Sequence, residues 1–241
     1  MLNIAHRGFS GKYPENTMLA FRKAVETGAD GIELDVHYTK DKELVVIHDE
    51  RIDRTCDGEG YVCDFTLEEL KKFDASAGFR GVYGVNRIPT LREYFEFVAP
   101  LDGFITNIEL KTGFNVYPGI EKMVYDMIKE FGLEDRIIIS SFNHFSVARF
   151  KALAPEIKCG FLEGDWILDF GRYASEHGVE CVHPRNITVT EETAKEIKAQ
   201  GIEINTWTVN DPDDVRRLYT LGVNAVIGNY PDMTKEVIES F

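Results

Sequence analysis

The sequence predicts an α/β protein folded as a (β/α)8 barrel with a small insertion after strand two. Short runs rich in β-branched residues alternate with amphipathic stretches, which is typical of parallel strands joined by helical crossovers. Eight such runs remain once one hairpin strand is set aside, and eight strands close a barrel of the TIM type. The length of 241 residues suits one barrel in a single chain.

The elements follow one another in a regular order along the chain. Barrel strands are expected at 2–6, 31–36, 104–110, 136–142, 158–163, 180–184, 203–209 and 224–229. Helices are expected at 16–28, 90–98, 119–132, 145–154, 167–178, 190–201 and 211–222. Asn16 and Thr190 are expected to be N-caps, and a glycine stands where most of these helices should end.

A ninth run, LVVIH at 44–48, interrupts the alternation. It follows the second strand too closely for a helical crossover, so the two runs should form an antiparallel hairpin. A turn centred on Asp41 and Lys42 would place Asp35 opposite His48.

The segment 51–89 then becomes an insertion within a single catalytic domain spanning 1–241. Its helix, at 66–74, should begin with a capping box formed by Thr66 and Glu69. We expect this insertion to cover the pocket, so that Cys56 within it bears on the choice of substrate.

Composition and charge exclude several classes of function. The net charge of -14 and the absence of a basic stripe argue against a nucleic-acid partner. No segment approaches the roughly 18 apolar residues of a membrane span, and the N-terminus does not resemble a signal peptide. We therefore expect a cytoplasmic protein without stable membrane association. The four cysteines have neither zinc-site nor disulfide spacing, and the oligomeric state is not indicated.

Ionisable residues collect where the first three barrel strands end, which is where barrel enzymes carry their chemistry. Residues two apart on a strand share a face, so the acids of the second strand point the same way. The set comprises His6 and Arg7, Glu33 and Asp35, His48 in the hairpin, and Glu109 and Lys111.

This combination of groups indicates a particular chemistry. Three carboxylates facing inward are costly to bury unless a cation lies among them. Oxygen ligands without cysteine favour one hard divalent cation, Mg²⁺ or Ca²⁺. The two histidines would serve as general acid and base, and the arginine and lysine would balance the charge of a phosphate. We therefore predict metal-assisted phosphoryl transfer from a small ester.

The blocks HRG, PENT, IELDV, VVIHD and IELK occur in this order, followed by NTWTVN and GNYPD. In this succession, over essentially the whole chain, the sequence closely resembles the bacterial glycerophosphodiester phosphodiesterases, a family of phospholipase C-like phosphodiesterase TIM barrels. The resemblance implies a metal-dependent hydrolase whose small-molecule substrates are glycerophosphodiesters. The products would be glycerol 3-phosphate and an alcohol such as choline or ethanolamine.

The resemblance also implies a role for each matching residue. Attack by the glycerol 2-hydroxyl on phosphorus would give a cyclic phosphate that water then opens, with two histidines exchanging the roles of acid and base. By this resemblance His6 and His48 are the catalytic pair, Glu33, Asp35 and Glu109 hold the metal, Arg7 and Lys111 contact the phosphate, and Trp207 lines the glycerol side. Phe142 is a candidate substrate contact, with a core or rim position as the alternative. The family residue that matches Asn16 lies near the site, so the resemblance implies that Asn16 fixes the first loop, with a pure helix cap as the alternative.

Two alternatives stay open. A related phosphodiesterase could act on lysophospholipids or inositol phosphodiesters, but the apolar rim or basic patch expected of its membrane-bound forms does not stand out in the sequence. A non-catalytic binding barrel is the other, although the full set of ionisable residues speaks against it. Two smaller expectations concern histidines: His37 is assigned to the surface, and His183 is placed near the mouth. Gly228 departs from the threonine often found there in the family.

Overall fold

In the computed structural model, which describes residues 1–241, eight parallel strands close into a barrel. The strands are β1 (Leu2–His6), β2 (Gly31–Tyr38), β3 (Leu44–Val46), β4 (Ile105–Leu110), β5 (Ile137–Ser141), β6 (Lys158–Glu163), β7 (Cys181–Pro184), β8 (Glu203–Thr206) and β9 (Ala225–Gly228). Because β1 pairs in parallel with both β2 and β9, the sheet closes on itself. The predicted (β/α)8 barrel is confirmed.

Nine helices accompany the strands. They are α1 (Met18–Glu26), α2 (Leu67–Leu70), α3 (Leu91–Val98), α4 (Ile120–Phe131), α5 (His144–Leu153), α6 (Phe170–Glu176), α7 (Glu191–Ala199), α8 (Pro212–Leu221) and α9 (Pro231–Glu239). The sequence prediction omitted α9, which begins at a proline in its first turn. Gly132 and Gly222 end α4 and α8 in the left-handed conformation, as expected.

The N-cap of α1 lies one residue later than predicted, and Asn16 therefore has a different role. Thr17 is the N-cap, and its side chain accepts a hydrogen bond from the Ala20 amide. Asn16 has a φ of 53°, a left-handed conformation that asparagine tolerates better than most residues. Its side-chain amide donates to Asp35 Oδ2 at 2.8 Å. Asn16 therefore supports a carboxylate of the site and does not cap the helix.

The hairpin between β2 and β3 is shifted by one residue from the predicted register. Val36 pairs with Val46 and His37 with Val45, so Asp35 lies opposite Ile47 and not His48. The reason is the number of residues in the loop. A hydrogen bond from the Thr39 amide to the Glu43 carbonyl closes a loop with an odd number of residues, whereas the predicted register requires a two-residue turn. His48 lies beyond the end of β3 and reaches the site from the following loop.

The insertion at 51–89 forms a small apolar core of its own against β3. Ile52, Val62, Leu70 and Ile88 are buried there, together with Cys56. The capping box of Thr66 and Glu69 is confirmed, but α2 is only four residues long instead of spanning 66–74. At the end of the insertion the Val46 amide donates to the Pro89 carbonyl at 2.8 Å, on the side of β3 that faces away from β2.

The glycine at position 228, which departs from the family pattern, is required for steric reasons. A Cβ at this position would lie 2.2 Å from the Val209 carbonyl oxygen, a distance that no real side chain tolerates. The close approach follows from the hydrogen bond between the Val209 amide and the Ile227 carbonyl. A threonine here would require the backbone of the loop after β8 to move away.

Candidate active site

A cleft of about 400 Å³, including its open mouth, lies at the C-terminal end of the barrel. Its walls combine ionisable groups with apolar and aromatic side chains. It is lined by His6, Arg7, Glu33, His48, Asn107, Glu109, Phe142, Leu162, Trp207, Thr208 and Ile227. Of the predicted site residues only Asp35 and Lys111 are not part of this lining, and both contact residues that are. The structure thus brings all nine predicted residues together.

Strand register explains why the three acids converge. Glu33 on β2 is paired with His6 on β1, and Asp35 on β2 is paired with Glu109 on β4. All three carboxylates are buried, and one oxygen of each lies within 4.8 Å of the others. The arrangement concentrates three negative charges at the floor of the cleft.

Two cations partly neutralise this cluster. Lys111 Nζ donates to Glu109 Oε1 at 2.8 Å and lies 3.7 Å from Asp35 Oδ1. Arg7 Nε lies 3.5 Å from Asp35 Oδ2. Burial by itself would raise the pKa of Asp35, but Lys111 and Arg7 hold that pKa well below its usual range. Asp35 therefore carries a full negative charge at neutral pH.

The cluster is not satisfied by these two cations alone. Burial, reinforced by the charge of Asp35, raises the pKa of Glu33 well above its usual value, and burial also raises the pKa of Glu109. Asp35 Oδ1 is buried and has no hydrogen-bond partner. A set of carboxylate oxygens with one oxygen left unpartnered suits a hard divalent ion, so the residues fit the predicted cation.

His6 is held by a neutral partner. Its Nδ1 donates to Asn229 Oδ1 at 2.6 Å, and its Nε2 lies 3.9 Å from Glu33 Oε2. Burial, aided by the charge of Arg7, lowers the pKa of His6 to about 4. The ring is therefore neutral at pH 7, with Nε2 as the nitrogen that can accept a proton.

His48 is held by a charged partner. Its Nδ1 donates to Asp49 Oδ1 at 2.6 Å, and its carbonyl oxygen accepts a hydrogen bond from His37 Nε2 at 3.1 Å. The expectation that His37 lies at the surface is wrong: its side chain is buried, because it has the same strand parity as Asp35 and points inward. Tyr117 completes its surroundings with a hydroxyl 2.9 Å from Nδ1.

Aromatic side chains form the other wall of the cleft. Phe142 and Trp207 pack edge to face with ring centroids 5.5 Å apart. Trp207 Nε1 donates to the His183 carbonyl at 2.8 Å, which fixes the indole ring. Phe142 is half exposed, so it stands at the rim of the cleft. The His183 side chain is fully buried and does not line the cleft, contrary to the expected place near the mouth.

The comparisons with known proteins agree with this geometry. The model of the glycerophosphoryl diester phosphodiesterase family matches residues 6–233. The chain belongs to the glycerophosphoryl diester phosphodiesterase family. The expected family and enzyme class are thereby confirmed.

Individual members of the family align with nearly the whole chain. A glycerophosphodiester phosphodiesterase of Caldanaerobacter subterraneus is 46% identical over 96% of this chain and 95% of its own length. One from Bacillus altitudinis is 43% identical over 98% of this chain and 97% of its own. A phosphodiesterase of Oleispira antarctica, solved with sn-glycerol 3-phosphate as product, is 31% identical with a TM-score of 0.86, covering 98% of this chain and 96% of its own.

Within this family fold, two site residues were not predicted. They are Asn229 and Asp49, which hold the two histidines. Asn16, which the resemblance placed near the site, holds Asp35. The available signal was position: Asp49 directly follows His48, and Asn229 directly follows β9.

No residue of 51–89 lines the cleft, so the expectation that the insertion covers the pocket is wrong. No helix has both the length and the apolar character that crossing a bilayer requires.

Proposed function

We propose that this family member hydrolyses glycerophosphodiesters to glycerol 3-phosphate and an alcohol, using one divalent cation, Mg²⁺ or Ca²⁺, and two histidines. The observation that carries the proposal is a cleft lined by two histidines, with a cluster of three buried carboxylates at its floor. Like charges at this density are stable only beside a cation, and the histidines flank the place where a phosphate would lie.

Glu33, Asp35 and Glu109 would hold the ion. A bound divalent cation would balance these carboxylates and polarise the phosphoryl oxygens of the substrate. Arg7 would supply a further contact to the phosphate, because its side chain lines the cleft. Lys111 would add positive charge from beneath the cleft.

The histidines would carry the protons. His6 Nε2 accepts the proton of the glycerol 2-hydroxyl while the oxygen forms its bond to phosphorus. His48 Nε2 gives a proton to the oxygen of the departing alcohol as its bond to phosphorus breaks. In the second step the roles are exchanged: His48 takes a proton from water as the water oxygen forms its bond to phosphorus, and His6 gives its proton to the glycerol 2-oxygen as the bond between that oxygen and phosphorus breaks.

The test is an assay of glycerol 3-phosphate released from glycerophosphocholine and glycerophosphoethanolamine. Activity is expected with Mg²⁺ or Ca²⁺ and should be lost in EDTA. His6→Ala and His48→Ala should each reduce kcat by about 100-fold or more, the usual contribution of a positioned acid or base. His177→Ala, at an exposed position outside the cleft, is the matched control. Full activity in either active-site variant would refute the two-histidine scheme.

A second candidate, hydrolysis of lysophospholipids, is favoured by an apolar rim that the sequence did not reveal. Large exposed apolar side chains stand on the segments that follow four barrel strands, at the end of the barrel that carries the cleft, and one of them, Phe142, lines the cleft itself. We define the apolar rim as Phe114, Val116, Phe142, Trp166, Leu168 and Ile187. An acyl chain leaving the cleft could lie against these side chains.

A comparison of two substrates separates the candidates. If the rim binds an acyl chain, the double variant Trp166→Ser with Leu168→Ser should lower kcat/KM for lysophosphatidylcholine and leave that for glycerophosphocholine unchanged. Phe241→Ser, an exposed aromatic at the C-terminus, is the matched control. Absence of lysophosphatidylcholine hydrolysis by the unmodified protein would exclude this candidate.

A further inference from the structure

We infer that Asp49 and Arg54 are positioning residues: Asp49 fixes the tautomer and orientation of the His48 ring, and Arg54 holds Asp49 in place. The inference rests on the proposed catalytic role of His48. It concerns two residues outside the metal cluster, one directly after His48 and one in the insertion.

The contact between His48 and Asp49 determines which ring nitrogen is free. A carboxylate accepts hydrogen bonds only, so His48 Nδ1, 2.6 Å from Asp49 Oδ1, must carry a hydrogen. Nε2 has no hydrogen-bond partner within the protein, and it belongs to a residue that lines the cleft. Asp49 thereby selects the tautomer in which Nε2 is the nitrogen that exchanges protons with substrate.

Asp49 is itself held in a defined geometry. Arg54 Nε donates to Asp49 Oδ2 at 2.6 Å, and Arg54 Nη2 donates to Asp49 Oδ1 at 3.1 Å. Such a two-pronged pair fixes direction as well as distance. Partial burial alone would raise the pKa of Asp49, but the hydrogen bonds from His48 and Arg54 hold that pKa far below its usual range.

Arg54 continues the chain of contacts toward the metal cluster. Its two terminal nitrogens donate to the two carboxylate oxygens of Glu15, each at 2.8 Å. Glu15 also accepts from Arg7 Nη1 at 2.9 Å, and Arg7 Nε lies 3.5 Å from Asp35. Alternating charges therefore connect His48 with a proposed metal ligand. The insertion acts on the site through Arg54, although it lines no part of the cleft.

The main chain of His48 is fixed separately. His37 donates to its carbonyl oxygen, and the hydroxyl of Tyr117 meets the other nitrogen of His37. Since both His37 and Tyr117 are buried, this anchor does not depend on Asp49. Removing the Asp49 carboxylate should therefore free the His48 ring without displacing its backbone.

Asp49→Asn tests the inference, with Asp53→Asn as the matched control. Asp53 is an aspartate four residues further along the chain. It pairs with Arg51 and does not contact His48. In Asp49→Asn we expect kcat to fall about 100-fold with KM little changed, the low end of what a positioned acid or base contributes. Nitrogen NMR of the ring should show His48 with Nδ1 protonated in the unmodified protein and a mixture of tautomers in the variant.

Arg54→Gln provides a second variant at a half-exposed position, where misfolding is not expected. It should lower kcat less than Asp49→Asn and broaden the ring signals of His48. Unchanged kcat and an unchanged tautomer in Asp49→Asn, equal to those of Asp53→Asn, would overturn the inference. The NMR measurement needs no substrate, so it decides the tautomer even if the unmodified protein fails to hydrolyse glycerophosphodiesters, an outcome that would count against the proposed function instead.

Discussion

Lys111 Nζ lies 2.8 Å from Glu109 Oε1, and both groups are nearly excluded from solvent. No other cation lies within ion-pair distance of Glu109, while Lys111 also lies 3.7 Å from Asp35 Oδ1. A lysine in this position balances part of the charge of the carboxylate cluster before any ion is bound. The stability of the site and its affinity for a cation are therefore connected through Lys111.

Replacement of Lys111 by methionine should expose this connection. The variant keeps the aliphatic volume but leaves the buried carboxylates without their nearest ammonium, so its melting temperature in EDTA should fall. Added Mg²⁺ or Ca²⁺ should raise the melting temperature of the variant by more than that of the unmodified protein. Scanning calorimetry with and without the ion measures both shifts. Equal ion-induced shifts in the two proteins would contradict the expectation.

Glu33→Gln should separate stability from function. Burial and the charge of Asp35 raise the pKa of Glu33 above its unfolded-state value, so its ionised form at pH 7 destabilises the fold. Removing the charge should increase the free energy of unfolding in EDTA, because the folded protein then no longer buries a carboxylate beside the charge of Asp35. The variant should also lose the stabilisation by divalent ions. Urea unfolding with Glu26→Gln, on the exposed face of α1, as control measures this.

Asn16 offers a pair of substitutions that separate a hydrogen bond from backbone strain. Asn16→Gly keeps access to the left-handed conformation but removes the donor to Asp35, a bond to a charged group worth roughly 1.5–3 kcal/mol. Asn16→Ala removes the same donor and adds about 1 kcal/mol of strain. Both variants should lose activity to a similar degree, while urea unfolding should show the alanine variant to be less stable. Identical stabilities would argue against strain at this position.

His183 should make the fold sensitive to acid. Burial lowers the pKa of His183 to about 3 from an ordinary value of 6.5, so the unfolded chain binds a proton that the folded chain does not. Stability is therefore present above pH 6.5 and decreases as the pH falls toward 3, by roughly 1.4 kcal/mol per pH unit from this residue. In His183→Gln, urea unfolding between pH 6.5 and 4.5 should show a shallower dependence. His177→Gln, at an exposed position, should retain the original slope.

Sequence patterns were sufficient to predict the barrel and the convergence of the three acids. The alternation of strands and helices determines a closed parallel sheet, and residue parity on β2 and β4 places Glu33, Asp35 and Glu109 on one face. Side chains two residues apart share a face whatever the rest of the fold does. This is why the carboxylate cluster could be predicted without knowledge of any distance.

The parts that were missed depend on loop geometry. The odd-numbered loop before β3 shifted the hairpin register, yet His48 still reaches the cleft because it lies beyond the strand. The left-handed turn at Asn16 and the partnership of Asp49 with Arg54 are set by backbone angles and by contacts between distant loops. The periodicity of apolar residues in the sequence does not determine these backbone angles or loop contacts.

The hydrogen bond from the Val46 amide to the Pro89 carbonyl has a consequence for solubility. A closed barrel has no free strand edge, but the hairpin adds one strand, β3, that is paired on one side only. The chain leaving the insertion covers that open side, with a further bridge between Val45 and Thr90. A shortened chain without 51–89 would present β3 as an uncovered apolar edge, a template on which a second molecule could add a strand and begin to aggregate.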